Sequence, residues 1–575
     1  MTTSRLQLSI GQFSDRGAKP VNEDCYGVHV PDEPLLTTKG AAMVIADGIS
    51  ASESARLAAE YAVKGFLSDY FATPESWTVK HSVEKVLIAL NRWLYAQGAQ
   101  YADPRHGLVT TFSALVLKST TAHVFHIGDT RIHQLRDDTL EPLTRDHHVW
   151  VDAGRTYLNR ALGVDLHLDI DYRALPVELG DIYLFTSDGV HEYLPLRELK
   201  RLLSEHTHNL DLACARIVAS ARAAGSPDNL TCQAVRVDAL PAQDADSVFR
   251  SLRELPFPPE LEPGMVLDGY RILRELHASP ASQLYLALDE ASGSQVVLKT
   301  PSVNFEDDLG YLERFRHEEW VGRRIQHPHV LRVIEPPRRR RFLYHVLEYL
   351  EGHTLRQWMA EHPRPALHEV RAILGQIARG LRAFHRLEML HLDLKPENIH
   401  IDRHGTLRII DFGSVKIAGI HEIASPVPRS DLVGTRHYTA PELLRGEPAT
   451  PRTDLYALGV IAYELLTGHL PYGALADGAL DARRLARLRY IPARRHRPEL
   501  PVWVDGALEK AVHPDPQRRY GVETEFLYDL EHPNPAFAAS GRQPLIERHP
   551  LGFWQALALL SLLANLLLLY WLHRG

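Results

Sequence analysis

The sequence predicts a multidomain α+β protein with two folded halves and one apolar helix at the C-terminal end. Its 575 residues exceed what one hydrophobic core usually serves. Residues 239–264 hold five prolines among several acidic residues, which is typical of a linker. A long uncharged apolar stretch follows much later. We therefore divide the chain into 1–238, the linker 239–264, 265–533, a juxtamembrane segment 534–550 and the apolar segment 551–572.

Composition excludes several classes of protein. Apolar residues make up 45% of the chain and charged residues 24%, as in ordinary globular proteins. The net charge of −8 gives no basis for binding nucleic acid, which demands a basic face. The three cysteines, Cys25, Cys214 and Cys232, lack disulfide or zinc spacing, which favours a reducing compartment. The first residues lack the apolar core of a secretory signal.

Acidic residues stand at the ends of predicted strands in the first half. Apolar runs lead into Asp47, Asp129 and Asp188, and Asp228 precedes another apolar run. Gly48, directly after the first of these, permits a tight turn and a close approach of its carbonyl to a ligand. Carboxylates that converge without a fixed cation repel one another and attract divalent metals. Oxygen ligands select Mg²⁺ or Mn²⁺ over softer metals.

These motifs form an ordered set: NED, ADG, GLVTTFSALVL, GDTR, TRDH, RALG, TSDG and SPDN. Over residues 7–238 the set resembles the PPM family of metal-dependent Ser/Thr protein phosphatases. The resemblance implies an α-β-β-α sandwich with a two-metal centre at one edge. It implies that Asp47 bridges two Mg²⁺ or Mn²⁺ ions, that the Gly48 carbonyl binds one of them, and that Asp188 and Asp228 complete the second. Paired cations lower the pKa of a bridging water and neutralise phosphoryl oxygens.

The same resemblance assigns further residues and shows one departure. Glu23 and Asp24 are implied to hold metal-bound waters, and Asp129 to serve a third, looser metal. Where the family often has an arginine that binds substrate phosphate, this chain has Lys19, a point charge rather than a bidentate fork. We expect phosphate binding to persist but weaken, and Arg16 is close enough in sequence to compensate.

The second half carries a different set of motifs. A strand-rich stretch ends on Lys299, a helical stretch contains Glu318, and HLDLKPEN, DFG, GTRHYTAPE and TDLYALGV follow in order. Over residues 265–533 these motifs resemble a eukaryotic-type protein kinase, which implies a bilobal fold. The resemblance implies that Lys299 holds the phosphates of ATP and pairs with Glu318, and that Leu347 precedes the hinge as gatekeeper. Glu442 is expected to pair with Arg519.

The HLDLKPEN and DFG motifs supply the implied catalytic residues. An aspartate, a lysine and an asparagine at fixed offsets after a histidine suit a metal-bound triphosphate. By resemblance, Asp393 accepts the proton of the substrate hydroxyl and Lys395 touches the transferred phosphate. Asn398 and Asp411 bind the Mg²⁺ that accompanies ATP.

The loop that covers the nucleotide departs from the kinase pattern. His277, Ser279 and Ser282 occupy the three glycine positions, and Pro280 has no N–H group. We expect ATP to be held less tightly, or by a loop of different shape. A second departure is Leu392, where many kinases have an arginine that meets a phosphorylated activation loop. This predicts activity that does not require phosphorylation between Ser414 and Ser430.

The apolar segment Leu551–Leu572 predicts a single transmembrane helix. Its 22 uncharged residues span about 33 Å as a helix, close to the hydrocarbon thickness of a bilayer. Phe553 and Trp554 at one end, and Tyr570 and Trp571 at the other, are residues that favour membrane interfaces. We expect a tail anchor in a bacterial inner membrane, with the catalytic domains in the cytoplasm.

Arg338–Arg341 is a run of four arginines with two interpretations. A solvated hairpin turn is the simpler one, because the run lies between two strand-like segments. The alternative is contact with anionic lipid near the anchor.

Together the two halves resemble the bifunctional Ser/Thr kinase/phosphatase proteins of bacteria. Such a protein acts on ATP and on protein Ser/Thr or phospho-Ser/Thr, itself included, and contacts the bilayer through residues 551–572. The alternative is an active phosphatase whose kinase-like half senses nucleotide or docks substrate. A third alternative, a scaffold protein without enzymatic activity, is disfavoured because it leaves both sets of acidic residues without a role. Linked modules share a high effective concentration for a common target.

Overall fold

The structure of the chain is a computed structural model. It describes residues 5–49, 53–98, 107–152, 155–158, 160–241, 255–279, 282–302, 309–418, 437–473, 489–538, 554–555 and 557–564.

Two five-stranded antiparallel sheets form the centre of the first half. One has the order β1-β12-β11-β6-β7 and the other β10-β5-β4-β3-β2. The strands are β1 Gln7–Asp15, β2 Asp24–His29, β3 Ala41–Asp47, β4 Phe112–Lys118, β5 Thr121–Ile127, β6 Arg131–Arg136, β7 Thr139–Pro142, β10 Asp171–Pro176, β11 Ile182–Thr186 and β12 Leu230–Ala239. A separate ribbon consists of β8 His148–Asp152 and β9 Arg155–Leu158.

Helices cover the outer face of each sheet. The helices of this half are α1 Leu35–Lys39, α2 Glu53–Ala72, α3 Val79–Gly98, α4 Asp188–His191, α5 Leu196–Glu205 and α6 Leu210–Ala223. Helices α2 and α3 pack on the sheet that contains β3, and α5 and α6 pack on the sheet that contains β12. A third apolar cluster fills the space between the sheets. This layering confirms the predicted α-β-β-α sandwich.

Burial on both faces explains the apolar runs that lead into the acidic motifs. All residues of β3 (AAMVIAD) and β4 (FSALVLK) are buried. A strand covered by a helix layer on one face and by the second sheet on the other has no solvent face, so its sequence shows no alternation. Asp47, the last residue of β3, is therefore itself buried.

The second half has two lobes, as predicted. In the part of the chain that the structure describes, its N-terminal lobe consists of a six-stranded sheet of order β13-β14-β15-β16-β18-β17 and the helix α7 Leu309–Arg324. The strands are β13 Val266–Leu267, β14 Tyr270–Ala278, β15 Ser282–Asp289, β16 Gln295–Pro301, β17 Val333–Ile334 and β18 His345–Glu348.

The C-terminal lobe is mainly helical and holds a large apolar core. Its helices are α8 Leu355–Glu361, α9 Leu367–His385, α10 Pro441–Leu444, α11 Pro451–Thr467, α12 Val502–Ala511, α13 Glu523–Glu531 and α14 Pro535–Ala538. Its short strands are β19 Gly352–Thr354, β20 Met389–Leu390, β21 Ile399–Asp402, β22 Leu407–Ile409 and β23 Lys416–Ile417.

Helix α11 lies at the centre of this lobe and has well-defined ends. Pro451 occupies its first turn, where a missing N–H costs nothing, and Thr450 caps it. Gly468 ends it at φ 71°, a left-handed conformation that glycine adopts without strain. Most residues in between are buried, which fixes the position of Asp454 in its first turn.

The linker predicted at 239–264 is not a bare spacer. Leu255 and Phe257 pack against an apolar cluster of Tyr311, Leu312, Phe315 and Leu343, most of it on α7. The N–H of Leu343 donates to the Pro256 carbonyl at 2.9 Å. The end of the linker thus belongs to the packed part of the N-terminal lobe.

The arginine run lies between β17 and β18, which pair as a hairpin. The hairpin turn of the simpler interpretation is present, and Arg339 and Arg341 are exposed, while Arg338 and Arg340 are partly buried. Arg338 pairs with Asp289, Arg340 lies 2.9 Å from Glu319, and Arg341 lies 2.7 Å from Asp268. Three of the four charges thus have carboxylate partners within the lobe.

The predicted anchor lies largely outside the described residues. Of the segment 551–572, only 554–555 and 557–564 are described, and they are helical. In the described part of the chain no helix has the length and apolarity that crossing a membrane requires.

Candidate active sites

The acidic residues of the first half meet at one edge of the sandwich. Asp24 begins β2 and Asp47 ends β3, and the two residues are direct cross-strand partners. Asp188 begins α4, two residues after β11 ends, and Asp228 lies just before β12. Each of the two sheets therefore contributes one pair of aspartates. The sequence alone predicted only that these residues lie at strand ends.

The backbone of Asp47 is held by two threonines that the sequence reasoning did not assign. The Asp47 N–H donates to the Thr111 hydroxyl at 2.9 Å, and the Asp47 carbonyl accepts from the Thr110 hydroxyl at 2.8 Å. Gly48 follows in a crowded place, where an added Cβ atom would lie 2.4 Å from the Ala55 carbonyl oxygen. Glycine is needed there for space.

Asn229 is a second residue whose role the sequence reasoning missed. Its side-chain oxygen accepts from the Glu23 N–H at 2.9 Å, and its amide group donates to the carbonyls of Arg16 and Val21 at 2.9 and 3.0 Å. Asn229 is almost fully buried. It therefore fixes the loop that carries Lys19 and Glu23 against the strand end that carries Asp228.

Burial and mutual repulsion raise the pKa values of these carboxyl groups. Burial raises the pKa of Asp24 to about 7. Burial, and then the carboxylates of Asp24 and Asp188, raise the pKa of Asp47 well above its usual range. Burial and the Asp228 carboxylate raise that of Asp188. Among the described residues, neither carboxylate oxygen of Asp24 has a hydrogen-bond partner. Such a group of buried like charges is chemically suited to divalent cations.

Lys19 lies at the side of this group. Its ammonium is 2.5 Å from Oδ1 of Asp228 and 3.2 Å from Oε2 of Glu23. Burial alone lowers the pKa of Lys19, but these two carboxylates raise it overall, so Lys19 stays charged. Across the described ranges, no group of three or more His, Cys, Asp or Glu side chains already has the arrangement of a metal site. Arg16 reaches the Pro20 carbonyl at 3.5 Å.

Asp129 lies in the turn between β5 and β6, next to the others. It is half-buried, and its charge contributes to the raised pKa of Asp47. The structure thus brings together every acidic residue that the sequence analysis selected in this half.

In the second half, the predicted pair of Lys299 and Glu318 is confirmed. The Lys299 ammonium, on β16, lies 2.6 and 2.7 Å from the two carboxylate oxygens of Glu318, on α7. Lys299 is also 4.0 Å from Asp411. Burial alone lowers the pKa of Lys299, but the carboxylates of Glu318 and Asp411 raise it overall. The lysine is therefore a permanent cation in the cleft.

The HLDLKPEN residues form a compact cluster. Lys395 lies 2.8 Å from Oδ2 of Asp393, and the Asn398 amide donates to the carbonyl and to Oδ2 of Asp393 at 2.9 and 3.0 Å. The Asn398 carbonyl accepts from the Ile410 N–H at 2.9 Å, directly before Asp411. Hydrogen bonds therefore join Asp393, through Asn398, to Ile410, the residue before Asp411.

Asp454 anchors this loop, a role that the TDLYALGV motif did not reveal in sequence. It accepts from the His391 and Leu392 N–H groups at 2.9 and 2.8 Å and lies 2.9 Å from His385. Leu392 has φ 63°, a left-handed conformation that is strained for leucine. The bonds to Asp454 hold this conformation in place.

The departure in the nucleotide loop has a structural consequence. The Ser279 N–H donates to the Ser282 carbonyl at 2.9 Å, and the Ser282 N–H donates to the Ser279 hydroxyl at 3.0 Å. Both N–H groups are therefore used within the turn, whereas glycine loops of kinases offer theirs to phosphate. His277 lies on β14, and Pro280 lies outside the described residues.

Two further predicted positions are in place. Leu347 is buried on β18, opposite Val297 of β16 and close to the expected hinge. Glu442 and Arg519 form the expected ion pair, with both guanidinium–carboxylate distances at 2.7 Å and both side chains buried. Much of the segment Ser414–Ser430 lies outside the described residues.

Comparison with known families agrees with this division. The Protein phosphatase 2C family matches residues 19–220, and the Protein kinase domain family matches residues 270–528. Serine/threonine-protein kinase PrkC of Bacillus subtilis (strain 168) is 30% identical over 266 residues, which cover 46% of this chain and 40% of that protein. PknL of Mycobacterium tuberculosis is 34% identical over 221 residues, 38% of this chain and 54% of that protein. The chain spans about half the length of these curated relatives.

Two solved structures are similar to parts of the chain. The PknI kinase domain of M. tuberculosis is 27% identical and covers 49% of this chain and 100% of that chain, with a TM-score of 0.38. The catalytic domain of the serine/threonine protein phosphatase PstP, in complex with two manganese ions, is 24% identical. It covers 41% of this chain and 100% of that chain, with a TM-score of 0.35.

The fold and the two sites define a phosphatase-type half followed by a kinase-type half. The chain contains a protein phosphatase 2C domain and, after it, a protein kinase domain of the type found in bacterial serine/threonine kinases.

Proposed function

We propose that the chain both adds phosphate to protein Ser/Thr hydroxyls from ATP and removes it from phospho-Ser/Thr. This proposal rests on one observation, which is that a single chain contains two separate acidic sites. One is the Asp24, Asp47, Asp188 and Asp228 group, and the other joins Lys299 and Glu318 to the Asp393 cluster.

In the phosphatase domain, Asp47, Asp188, Asp228 and the Gly48 carbonyl hold two Mg²⁺ or Mn²⁺ ions. The unpartnered carboxylate oxygens of Asp24 and the raised pKa of Asp47 support this. Bound cations would attract those oxygens and would lower the pKa of Asp47. When bound, the ions supply an activated water for in-line attack on phosphorus.

The remaining polar residues of this site orient the water molecules and the substrate. Glu23 and Asp24 would orient water molecules at the bound ions, and Asp129 would serve a third, looser ion. Lys19 binds the phosphate of the substrate as a point charge, helped by its permanent protonation beside Asp228.

In the kinase domain, MgATP is the substrate. Lys299 binds its phosphates and is itself oriented by Glu318, and Asn398 and Asp411 hold its magnesium. Asp393 accepts the proton of the protein hydroxyl as the oxygen attacks the γ-phosphorus and ADP leaves. Lys395, 2.8 Å from Asp393, neutralises charge on the transferred phosphoryl group.

Both domains act at a bacterial inner membrane, held there by residues 551–572 with the active sites in the cytoplasm. The apolar, uncharged sequence of that segment supports this placement. Their substrates include serines and threonines of this chain itself, because tethering raises the effective concentration.

The second candidate function is an active phosphatase whose kinase half binds nucleotide or docks substrate without transferring phosphate. The internally bonded turn of Ser279 and Ser282 favours it, since those N–H groups are not offered to ATP. Nucleotide binding without transfer to any protein, measured at equal MgATP concentrations, distinguishes this alternative from the proposed kinase.

Phosphatase activity is tested by inorganic phosphate release from a phosphoserine peptide with Mn²⁺. Replacement of one metal-site residue, Asp47→Asn, is expected to lower the rate at least about a hundredfold. Asp138→Asn, an exposed aspartate paired with Lys200, serves as the matched control and is expected to retain the parent rate. Equal rates for the parent and the Asp47→Asn variant contradict the assigned site.

A further inference from the structure

The two domains are in contact, and the contact begins at the C-terminal end of α7. Nη2 of Arg324, the last residue of α7, donates to Oε1 of Glu75 in the phosphatase domain at 2.8 Å. The other carboxylate oxygen of Glu75 accepts from the Thr38 hydroxyl at 2.7 Å. The Arg324 guanidinium stacks 3.8 Å above the Trp320 ring. Both ends of this ion pair are therefore fixed within their own domains.

A second part of the contact lies on the other kinase lobe. The indole N–H of Trp77 donates to the Arg386 carbonyl at 2.9 Å, and the Thr78 N–H donates to Oε2 of Glu388 at 2.7 Å. Nδ1 of His81 lies 3.5 Å from Oε1 of Glu388. Residues 75–81, at the start of α3, form a docking surface that touches both kinase lobes.

Each contact lies close to a catalytic element in sequence. Arg324 is on the same helix as Glu318, the partner of Lys299. Glu388 lies three residues before His391, has φ 54°, and its carbonyl accepts from the Ala418 N–H at 3.1 Å. The docking surface therefore joins the helix that positions Lys299 to the turn that leads into the catalytic loop.

We propose that the phosphatase domain acts as a brace for the kinase domain. Its docking surface clamps α7 to the turn at Arg386–Glu388 and so keeps Glu318 within reach of Lys299. Glu75, Thr78 and Arg324 are positioning residues in this scheme, since none touches a reacting atom. For its effect on catalysis, the brace rests on the proposed kinase function.

The direction of the effect follows from the observed state. With the docking surface engaged, the Lys299–Glu318 pair is closed at 2.6 Å. Contacts that are present together with the closed pair stabilise it relative to arrangements that lack them. Loosening the docking surface therefore opens the pair and lowers kinase activity. Phosphatase activity is expected to stay the same, because residues 75–81 lie outside its acidic group.

Charge reversal across the contact tests the brace in the full-length chain. Four proteins are compared in an Asp188→Asn background that prevents dephosphorylation: the parent, Arg324→Glu, Glu75→Arg, and both together. We expect each single reversal to lower kinase kcat/KM for ATP about fivefold and to raise amide exchange in α7 about tenfold. The double reversal restores the ion pair with opposite polarity, so both values return to within about twofold of the parent.

Glu84→Arg is the matched control, because Glu84 also lies on α3 and its partner is Lys80 rather than a kinase residue. It is expected to change neither readout. Unchanged exchange in α7 for both single reversals overturns the brace, as does a double reversal that is no better than the single ones. If the parent transfers no phosphate, the proposed kinase function fails, and exchange in α7 still decides whether the brace exists.

Discussion

The Lys19 ammonium lies 2.5 Å from Oδ1 of Asp228, at the side of the group of carboxylates that we assign to metal binding. It also reaches Glu23 at 3.2 Å. A permanent cation at this place reduces the negative potential that attracts a divalent ion, and we also propose that it binds substrate phosphate. Lys19 is therefore expected to lower the affinity for metal and to raise the affinity for phosphate.

Replacing Lys19 with alanine is expected to affect the two affinities in opposite directions. Mn²⁺ should bind several-fold more tightly, because about one opposing charge is removed. KM for a phosphoserine peptide should rise about tenfold, because the phosphate loses its point-charge partner. Calorimetric titration with Mn²⁺ and steady-state phosphate release measure the two effects. Lys64→Ala, at an exposed lysine paired with Glu60, is the control. Weaker Mn²⁺ binding by Lys19→Ala contradicts this account.

A substitution in the nucleotide loop is expected to strengthen ATP binding, whereas most substitutions at a binding site weaken it. Ser279→Gly removes the hydroxyl that accepts from the Ser282 N–H and restores glycine at a position where kinases have it. The freed N–H is available to phosphate, so we expect ATP to bind about threefold to tenfold more tightly. Fluorescence titration with ATP measures the change.

Ser292→Gly in the next turn, where the Ser292 hydroxyl donates to Asp289 at 2.8 Å, is the matched control for this variant. The Ser292→Gly variant gains the same backbone freedom as Ser279→Gly, but it lies outside the nucleotide loop. If both serine variants bind ATP as the parent does, the internal bonds of the loop are not what limits affinity.

The linker gives a separate test of how α7 is held. Phe257→Ala removes a ring that packs on the cluster of Tyr311 and Phe315, which costs about 2 kcal/mol for a partly buried aromatic side chain. We expect faster amide exchange in α7 and a lower kinase rate, with phosphate release from a phosphoserine peptide unchanged. Val266→Ala, at an exposed valine of β13, is the control. An unaltered α7 in the Phe257 variant contradicts a structural role for the linker.

A buried histidine predicts how kinase stability depends on pH. Burial alone lowers the pKa of His385, but its bonds with Asp454 and Glu523 raise it overall to about 9. A folded-state pKa above the ordinary 6.5 means that the protonated form stabilises the fold. This contribution is fully present below about pH 6.5 and is lost as the pH rises through about 9.

Thermal unfolding of the parent and of His385→Gln between pH 6.5 and 9.5 checks this prediction. The parent is expected to lose stability over this window, and the variant is expected to be less stable at pH 6.5 but nearly independent of pH. His362→Gln, at an exposed histidine, is expected to behave as the parent does. Equal pH slopes for the parent and the His385 variant contradict the assignment.

The sequence predicted best what local chemistry determines. Asp47 ends one buried strand and Asp188 follows another, so strand patterns located both, and Lys299 was assigned through the kinase motifs. Glu318 was placed by its helix, and its ion pair with Lys299 is present. These positions depend on short-range periodicity and on motif spacing, which a single sequence contains.

What the sequence did not predict depends on contacts between distant segments. Asn229 holds a loop more than two hundred residues away, and Asp454 holds backbone groups on another element. Polar residues of this kind have no periodic signal, since only the fold brings their partners close. For the same reason the sequence did not show that the arginines at 338, 340 and 341 have carboxylate partners.

The central claim is that one chain carries both a kinase and a phosphatase activity. It is tested most directly by incubating the full chain with labelled ATP and Mg²⁺ or Mn²⁺, as the parent, as Asp188→Asn, and as Asp188→Asn with Asp393→Asn. Protein-bound label is expected to accumulate strongly in the Asp188 variant, to stay low in the parent, and to be absent from the double variant. Equal label in the parent and the Asp188 variant, or label that survives the Asp393 change, contradicts it.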